Sequence, residues 1–423
     1  MTYKKHALDS DHPLFAQSLA AVPTFARAPL TATPAQPAGT FDGVTYYAFQ
    51  SKPSLTLDIN ATPEYVGFAK TFDAQGPHYS AASTLNELVL TGHFEQQLTR
   101  LDGHTRGATA SDTTLDSSIA KLTVSLTDTA DNQFHEGDLI TLDNFDGLQT
   151  FDGSKSTAGL SIDFLHGSGS GADYTYASQS AFLKSVITGS GQDYVSVSTI
   201  AATELDSVAS LAHSRVKAIT VDTGAGGDQI GAHIQQADVT INAGSGNDYV
   251  DLLFTKGVAA HNANLSGSFG HGATVTLGEG RDYLTVDPNL VNFDGSSSAA
   301  ANRSLAANHV TVTDYNTNDD QITFGFAVYD EKAVVTVQDA ALTKATSLFA
   351  ALNTVAQSTT GLVNAAVFHY GQDTYVFRDA GTEGQVDNLD SLIQLVGIHN
   401  LDDVASTVSA RERYEPGGTL GWG

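Results

Sequence analysis

The chain has 423 residues, enough for two or three domains with their own cores, and its 47 acidic and 20 basic residues give a formal net charge of −27. That charge argues against nucleic acid and anionic lipid as partners and in favour of divalent cations. There is no cysteine, which excludes disulfides, thiolate metal sites and thiol nucleophiles and suits an exported protein. No run approaches the roughly 18 apolar residues of a membrane span, so membrane insertion is not expected. The acid itself is unevenly chosen, 37 Asp to 10 Glu, as turns and ion sites require and helix surfaces do not. A solvated acidic surface is the simpler alternative.

Residues 1–40 are rich in Ala, Pro and Thr and hold no amphipathic period, so they read as an extended N-terminal arm. A strand lent to the sheet edge of a neighbouring subunit is one use for such an arm; a disordered tail is the other. Asp9, Asp11 and His12 interrupt the segment behind Lys4 and Lys5, so no cleavable signal peptide is expected.

Over 41–160 the segments Val44–Phe49, Leu55–Ile59, Leu88–Thr91, Leu122–Leu126 and Leu139–Leu142 alternate or run apolar between Gly, Asp and Asn turns. They predict an N-terminal β-domain, a sandwich or an irregular one. Asp138, Asp143, Asp146 and Asp152 gather towards its end, as a solvated loop or a further cation site.

The most ordered pattern lies within 161–325. Four times a β-type run breaks at Gly-x-Gly-x-Asp: Gly189, Gly191, Asp193; Gly224, Gly226, Asp228; Gly244, Gly246, Asp248; and Gly278, Gly280, Asp282. Three residues before each first glycine stands an apolar residue (Val186, Val221, Ile241, Val275), and two after each aspartate another (Val195, Ile230, Val250, Leu284). Random order would give roughly 0.3 such pentads, so four in one register are a repeat. A fifth, Gly169, Gly171, Asp173, lacks the apolar flanks.

Glycines admit backbone conformations that turn carbonyl oxygens toward one point, and the aspartate adds a carboxylate there. A hard cation with six to eight oxygen ligands, calcium before magnesium, suits such a turn, and Asp222, two residues before Gly224, joins the candidate ligands. Plain Gly/Asp turns without an ion have the same composition.

These residues resemble the calcium-binding RTX (repeats-in-toxin) family, whose nonapeptide runs Gly-Gly-x-Gly-x-Asp-x-apolar-x. The resemblance implies a parallel β-roll with calcium between successive turns, bound by the glycine carbonyls and the aspartates, and an uncleaved C-terminal secretion signal. The turns here recur after 35, 20 and 34 residues rather than nine, so the expectation is a wider β-solenoid with one calcium edge and irregular excursions on the other. One excursion, Thr203–Val216, has helical spacing behind a Thr203 cap; the next, between Asp248 and Gly278, is a loop rich in Ala, Asn, Gly and His.

A C-terminal α+β module is expected over 326–423. Ala340–Ala356 reads as a helix with Leu342, Ala345, Leu348, Phe349, Leu352 and Val355 on one side; Ala366–Phe377 and Leu389–Val396 read as strands, with a turn at Gly371–Asp373. Thr311–Phe324 resembles the segment that ends an RTX roll, and the stretches Phe368–Phe377 and Leu392–Gly397 resemble the C-terminal module of bacterial surface-layer and biofilm proteins exported by type I secretion. The expected fold class is therefore all-β: an N-terminal β-domain, a parallel β-solenoid and a small α+β module.

No His-Glu-x-x-His, Gly-x-Ser-x-Gly or phosphate-loop motif is present, and His135 beside Glu136 is the nearest approach to a metal pair. No catalytic residue is expected. The function expected is that of a non-enzymatic extracellular protein that folds on calcium and self-assembles into a surface layer, sheath or filament at the cell surface, with cell-surface glycan or lipopolysaccharide as a further partner. A calcium-dependent adhesin, with Tyr46, Tyr47 and Tyr65 as candidate contacts, is the alternative, and a secreted hydrolase the lesser one.

Overall fold

The computed structural model describes residues 33–61, 65–80, 83–94, 99–106, 117–128, 140–168, 175–178, 182–199, 218–255, 270–325, 333–360 and 363–409. The expected N-terminal strand donor, the Thr203–Val216 helix, the Gly169–Asp173 pentad, His135, Glu136, Asp138 and the C-terminal signal all lie wholly or almost wholly outside them. From Pro34 onward the chain forms one compact unit, mostly β-strand.

Alternation of apolar and polar residues sets the strands. In Ile219–Asp222 and Val239–Asn242 the first and third residues are buried and the second is exposed, and Tyr249–Phe254 alternates over its whole length. Along the chain, strands go by turns to two layers.

The first layer is a 13-stranded sheet. From its N-terminal edge it runs Ser54–Asp58, Glu87–Phe94, Lys121–Asp128, Thr150–Asp152, Ser185–Ile187, Ile219–Asp222, Val239–Asn242, Ala273–Thr276 and Val310–Val312, all parallel neighbours. The second layer holds a sheet of five (Gly39–Phe41, Val44–Ala48, Tyr65–Ala69, Thr99–Asp102, Ile140–Asp143). It also holds an all-parallel sheet of seven (Ser161–Asp163, Tyr194–Ser198, Gln229–Ile234, Tyr249–Phe254, Tyr283–Val286, Gln321–Phe324, Val408–Ser409).

One apolar core joins the layers from Tyr47 to Val408. The residues at fixed offsets from the glycine turns form its central columns. Val186, Val221, Ile241 and Val275 are in register in the first layer, and Val195, Ile230, Val250 and Leu284 in the second; none is more than 2% exposed.

The boundary expected between 160 and 161 is not a break in the sheet. Thr150–Asp152 pairs with Lys121–Asp128 on one side and Ser185–Ile187 on the other. The earlier strands share the period of the later ones, but their turns carry no glycine signature, so the sequence shows only the second half of the stack as a repeat. The boundary at 326 is likewise bridged, because Ser391–Leu395 pairs in parallel with Val310–Val312.

Beyond it Asp373–Arg378 and Val363–Tyr370 continue the first sheet as antiparallel strands, and Ala333–Val337 lies parallel at the edge. The expected single helix over 340–356 is two: Asp339–Leu342 and Leu348–Ala356. The second starts afresh because the Ser347 hydroxyl accepts from the Ala350 N–H. An alanine-rich helix at Ser298–Ala307, capped by Ser297 and unforeseen in the sequence, packs against the second of these, and a short helix, Leu401–Thr407, leads into the last strand. Among the described residues no helix is long and apolar enough to cross a membrane.

Candidate cation-binding turns

The four Gly-x-Gly-x-Asp turns lie at one edge, each joining a strand of the first layer to one of the second, and they stack directly on one another. Gly224, Gly226, Gly244, Gly246, Gly278 and Gly280 all have positive φ, from 81° to 146°. Close approach is a second constraint. A Cβ on Gly246 would stand 1.4 Å from the Gly226 carbonyl oxygen, and one on Gly280 1.5 Å from that of Gly246. In the first turn only the approach applies: Gly189 abuts the Ser156 carbonyl oxygen and Gly191 the Gly159 amide.

The stack is laced by main-chain bonds. Ala225 N–H donates to the Gly189 carbonyl at 3.0 Å, Ser245 N–H to that of Gly224 at 3.0 Å, and Glu279 N–H to that of Gly244 at 2.9 Å. Thr188 and Thr223 add hydroxyl bonds to the Thr223 and Ala243 carbonyls, at 3.1 and 2.8 Å.

Inside this stack the aspartates form a column. Each accepts at Oδ1 from the main-chain N–H of its predecessor: Asp228 from Asp193, Asp248 from Asp228 and Asp282 from Asp248, each at 2.8 Å, while Asp193 accepts from Leu160 at 2.6 Å. All four are at most 1% exposed, and Oδ2 of each is buried without a hydrogen-bond partner among the described residues.

A buried, unpartnered carboxylate oxygen is costly, and carboxylates one strand spacing apart (about 4.8 Å) repel by roughly 3–4 kcal/mol per pair at an effective dielectric of about 20. Burial accordingly raises their pKa values, Asp193 to about 6, Asp228 to about 8 and Asp248 to about 7, with neighbouring aspartates adding to the rise for the latter two. Burial, then Asp314 and Asp319, raise that of Asp282.

The donors suit a hard cation, because the unpartnered atoms of the column, Oδ2 of Asp193, Asp228, Asp248 and Asp282, are carboxylate oxygens. Among the described residues no three Asp, Glu, His or Cys side chains converge on a metal position. A cation here would therefore be held by carboxylates of successive turns together with main-chain oxygens.

Asp222 stands apart from the column. It alternates with Val221 on the opposite side of its strand, half-buried, and accepts from Asn242 Nδ2 at 3.2 Å. One column member escaped the sequence reading: Asp320, with no glycine turn before it. Its signal was the apolar residue two positions on, Ile322, the offset seen at the other four.

The other candidates have local roles. Asp143 pairs with Arg100, Asp146 accepts from Ser117 N–H at 2.8 Å, and Asp152 bonds Ser154 Oγ at 2.7 Å and faces Lys121 at 3.6 Å. Tyr46 and Tyr47 are buried, and Arg100 lies over the ring of Tyr65. No protein-family model matches the chain, and no curated protein does.

Proposed function

We propose that this chain is a non-enzymatic, extracellular structural protein, a parallel β-solenoid whose glycine turns fold on calcium and whose copies assemble into a layer, sheath or filament. The observation that carries the reading is the column of buried Oδ2 atoms on Asp193, Asp228, Asp248 and Asp282, each without a hydrogen-bond partner among the described residues. These carboxylates, with main-chain oxygens of Gly189, Gly191, Gly224, Gly226, Gly244, Gly246, Gly278 and Gly280, are the residues that would hold the ions, at least three per chain, one for each gap between glycine turns. Calcium supplies there the positive charge that neutralises the column.

The protein's part is preorganisation. Oδ1 of each aspartate is fixed by a main-chain amide, so Oδ2 is held in place, and the glycines let the turns approach closely enough to share a ligand. Without cation the column destabilises the stack; a cation bound only by the folded form adds its binding free energy, about 2.7 kcal/mol per site at a concentration 100 times Kd. Millimolar calcium outside a cell and its scarcity within make that linkage a switch between an unfolded exported chain and a folded one.

The exposed large apolar residues among those described, Phe41 in the edge strand Gly39–Phe41 and Leu389, Val396 and Ile398 on either side of the Ser391–Leu395 strand, support contacts between copies. Electron microscopy of the purified protein, with excess chelator replaced by calcium, tests the reading. Ordered sheets or filaments only with calcium are expected; a well-folded monomer at every calcium level would refute assembly.

A further inference from the structure

We propose that Asp282 and Asp320 form an additional calcium site at the C-terminal end of the column, beyond the last glycine turn. The inference rests on the calcium reading of the column and extends it to a segment with no Gly-x-Gly motif.

Gln321 pairs with Tyr283 across the parallel strands, which places Asp320 in register with Asp282. Asp282 N–H donates to Asp320 Oδ1 at 3.3 Å, the same bond that links each earlier pair. Asp282 is fully buried and its Oδ2 has no hydrogen-bond partner; Asp320 is 2% exposed. The last gap of the column thus repeats the earlier ones in its Oδ1 bond and in the unpartnered Asp282 Oδ2, while Asp320 Oδ2 is held by the loop before it.

A different loop does the work of the glycines. Asn316 N–H donates to Asp320 Oδ2 at 2.8 Å, and the Tyr315 hydroxyl is placed between the Asp320 carbonyl, at 3.3 Å, and Thr407 Oγ, at 2.6 Å. Asp314 closes the end of the turn stack, accepting from Leu277 and Gly278 N–H at 2.9 and 2.8 Å. Asp314 and Asp319 both add negative potential at Asp282, and Arg281, next in the chain, is held over the Tyr283 ring, 5.5 Å from its centre.

Among the described residues no third carboxylate converges on the gap, so the ligands are Asp282 Oδ2, the Asp320 carboxylate and main-chain oxygens. An ion there ties the Gln321–Phe324 strand to the stack. Through Tyr315 and Thr407 it ties the helix at Leu401–Thr407 as well.

Two experiments test the site. Calorimetric titration of Asp320→Asn, which keeps the Oδ1 acceptor and loses the charge, is expected to bind one calcium fewer per chain than wild type; equal stoichiometry would overturn the proposal. Crystals of the wild-type protein grown with terbium in place of calcium answer the question without a variant that has to fold. An anomalous peak between Asp282 and Asp320 is expected. Peaks confined to the glycine turns would overturn this site while leaving the calcium reading intact, and no peak along the column would remove both.

Discussion

The stack from Ser54 to Asp163 and the stack from Ser185 to Phe324 share the 13-stranded sheet and one core, yet they close their turns in different ways. Where the second half places Asp193, Asp228, Asp248, Asp282 and Asp320, the coil before it places Leu160, 1% exposed, whose N–H merely caps Asp193. That earlier turn is held by Ser156, whose hydroxyl accepts from Leu126 N–H at 3.1 Å and donates to the Val124 carbonyl at 3.2 Å. The same architecture can thus be closed by hydroxyls and apolar packing or by a column of buried carboxylates. Calcium dependence should therefore be a regional property.

The largest effect expected is from Gly246→Ala. The substitution forces an alanine to φ of 142° and drives its Cβ against the Gly226 carbonyl, so the cost should exceed about 4 kcal/mol and calcium should not restore it. Calcium-saturated thermal unfolding checks this, and a variant within about 1 kcal/mol of wild type would mean that the turns do not stack as described. Leu90→Ala, in the apolar half, should cost roughly 2–5 kcal/mol, and by the same amount in calcium and in chelator. A loss that depends on calcium would erase the distinction between the halves.

Smaller and opposite in sign is Asp248→Asn. In chelator at neutral pH it removes a buried charge and should raise the melting temperature, by an amount equivalent to about 1 kcal/mol, whereas in calcium it should lower it by about 2–3 kcal/mol. The same sign in both conditions would contradict a ligand role.

The pH dependence in chelator is the mildest probe. Folded-state values of about 6, 8 and 7 for Asp193, Asp228 and Asp248 lie above the ordinary 3.8, so between about pH 4 and pH 8 the folded form holds more protons than the unfolded one. Stability of these turns should fall as pH rises through that window, and saturating calcium should flatten or reverse the slope. A rising slope in chelator would show the carboxylates to be paired with cations of the protein itself.

How much of this was legible in the sequence follows from the same contrast. The glycine turns were visible because two constraints, positive φ and backbone contact, both exclude other residues, and each leaves a fixed mark at fixed offsets. The first half was visible only as strands, since hydroxyl-bonded turns such as Asp152–Ser161 use residues that suit many loops. Its membership of the same sheet is decided by pairing between strands about 30 residues apart, which no local pattern records. Asp320 was missed because the turn was sought by its glycines, although Ile322 kept the register. Asp222 was included for its neighbourhood to Gly224, while its alternation with Val221 put it on the other side of the strand. The break at Ser347 shows a side-chain cap overriding an apolar helical period that runs through it.

Hydrogen exchange by mass spectrometry on the full chain, in calcium and in excess chelator at neutral pH, decides whether the two halves respond differently to the ion. Protection within 185–324 is predicted to fall sharply in chelator while strands Ser54–Asp58, Glu87–Phe94 and Lys121–Asp128 keep theirs. Equal protection of both halves with and without calcium would contradict the account.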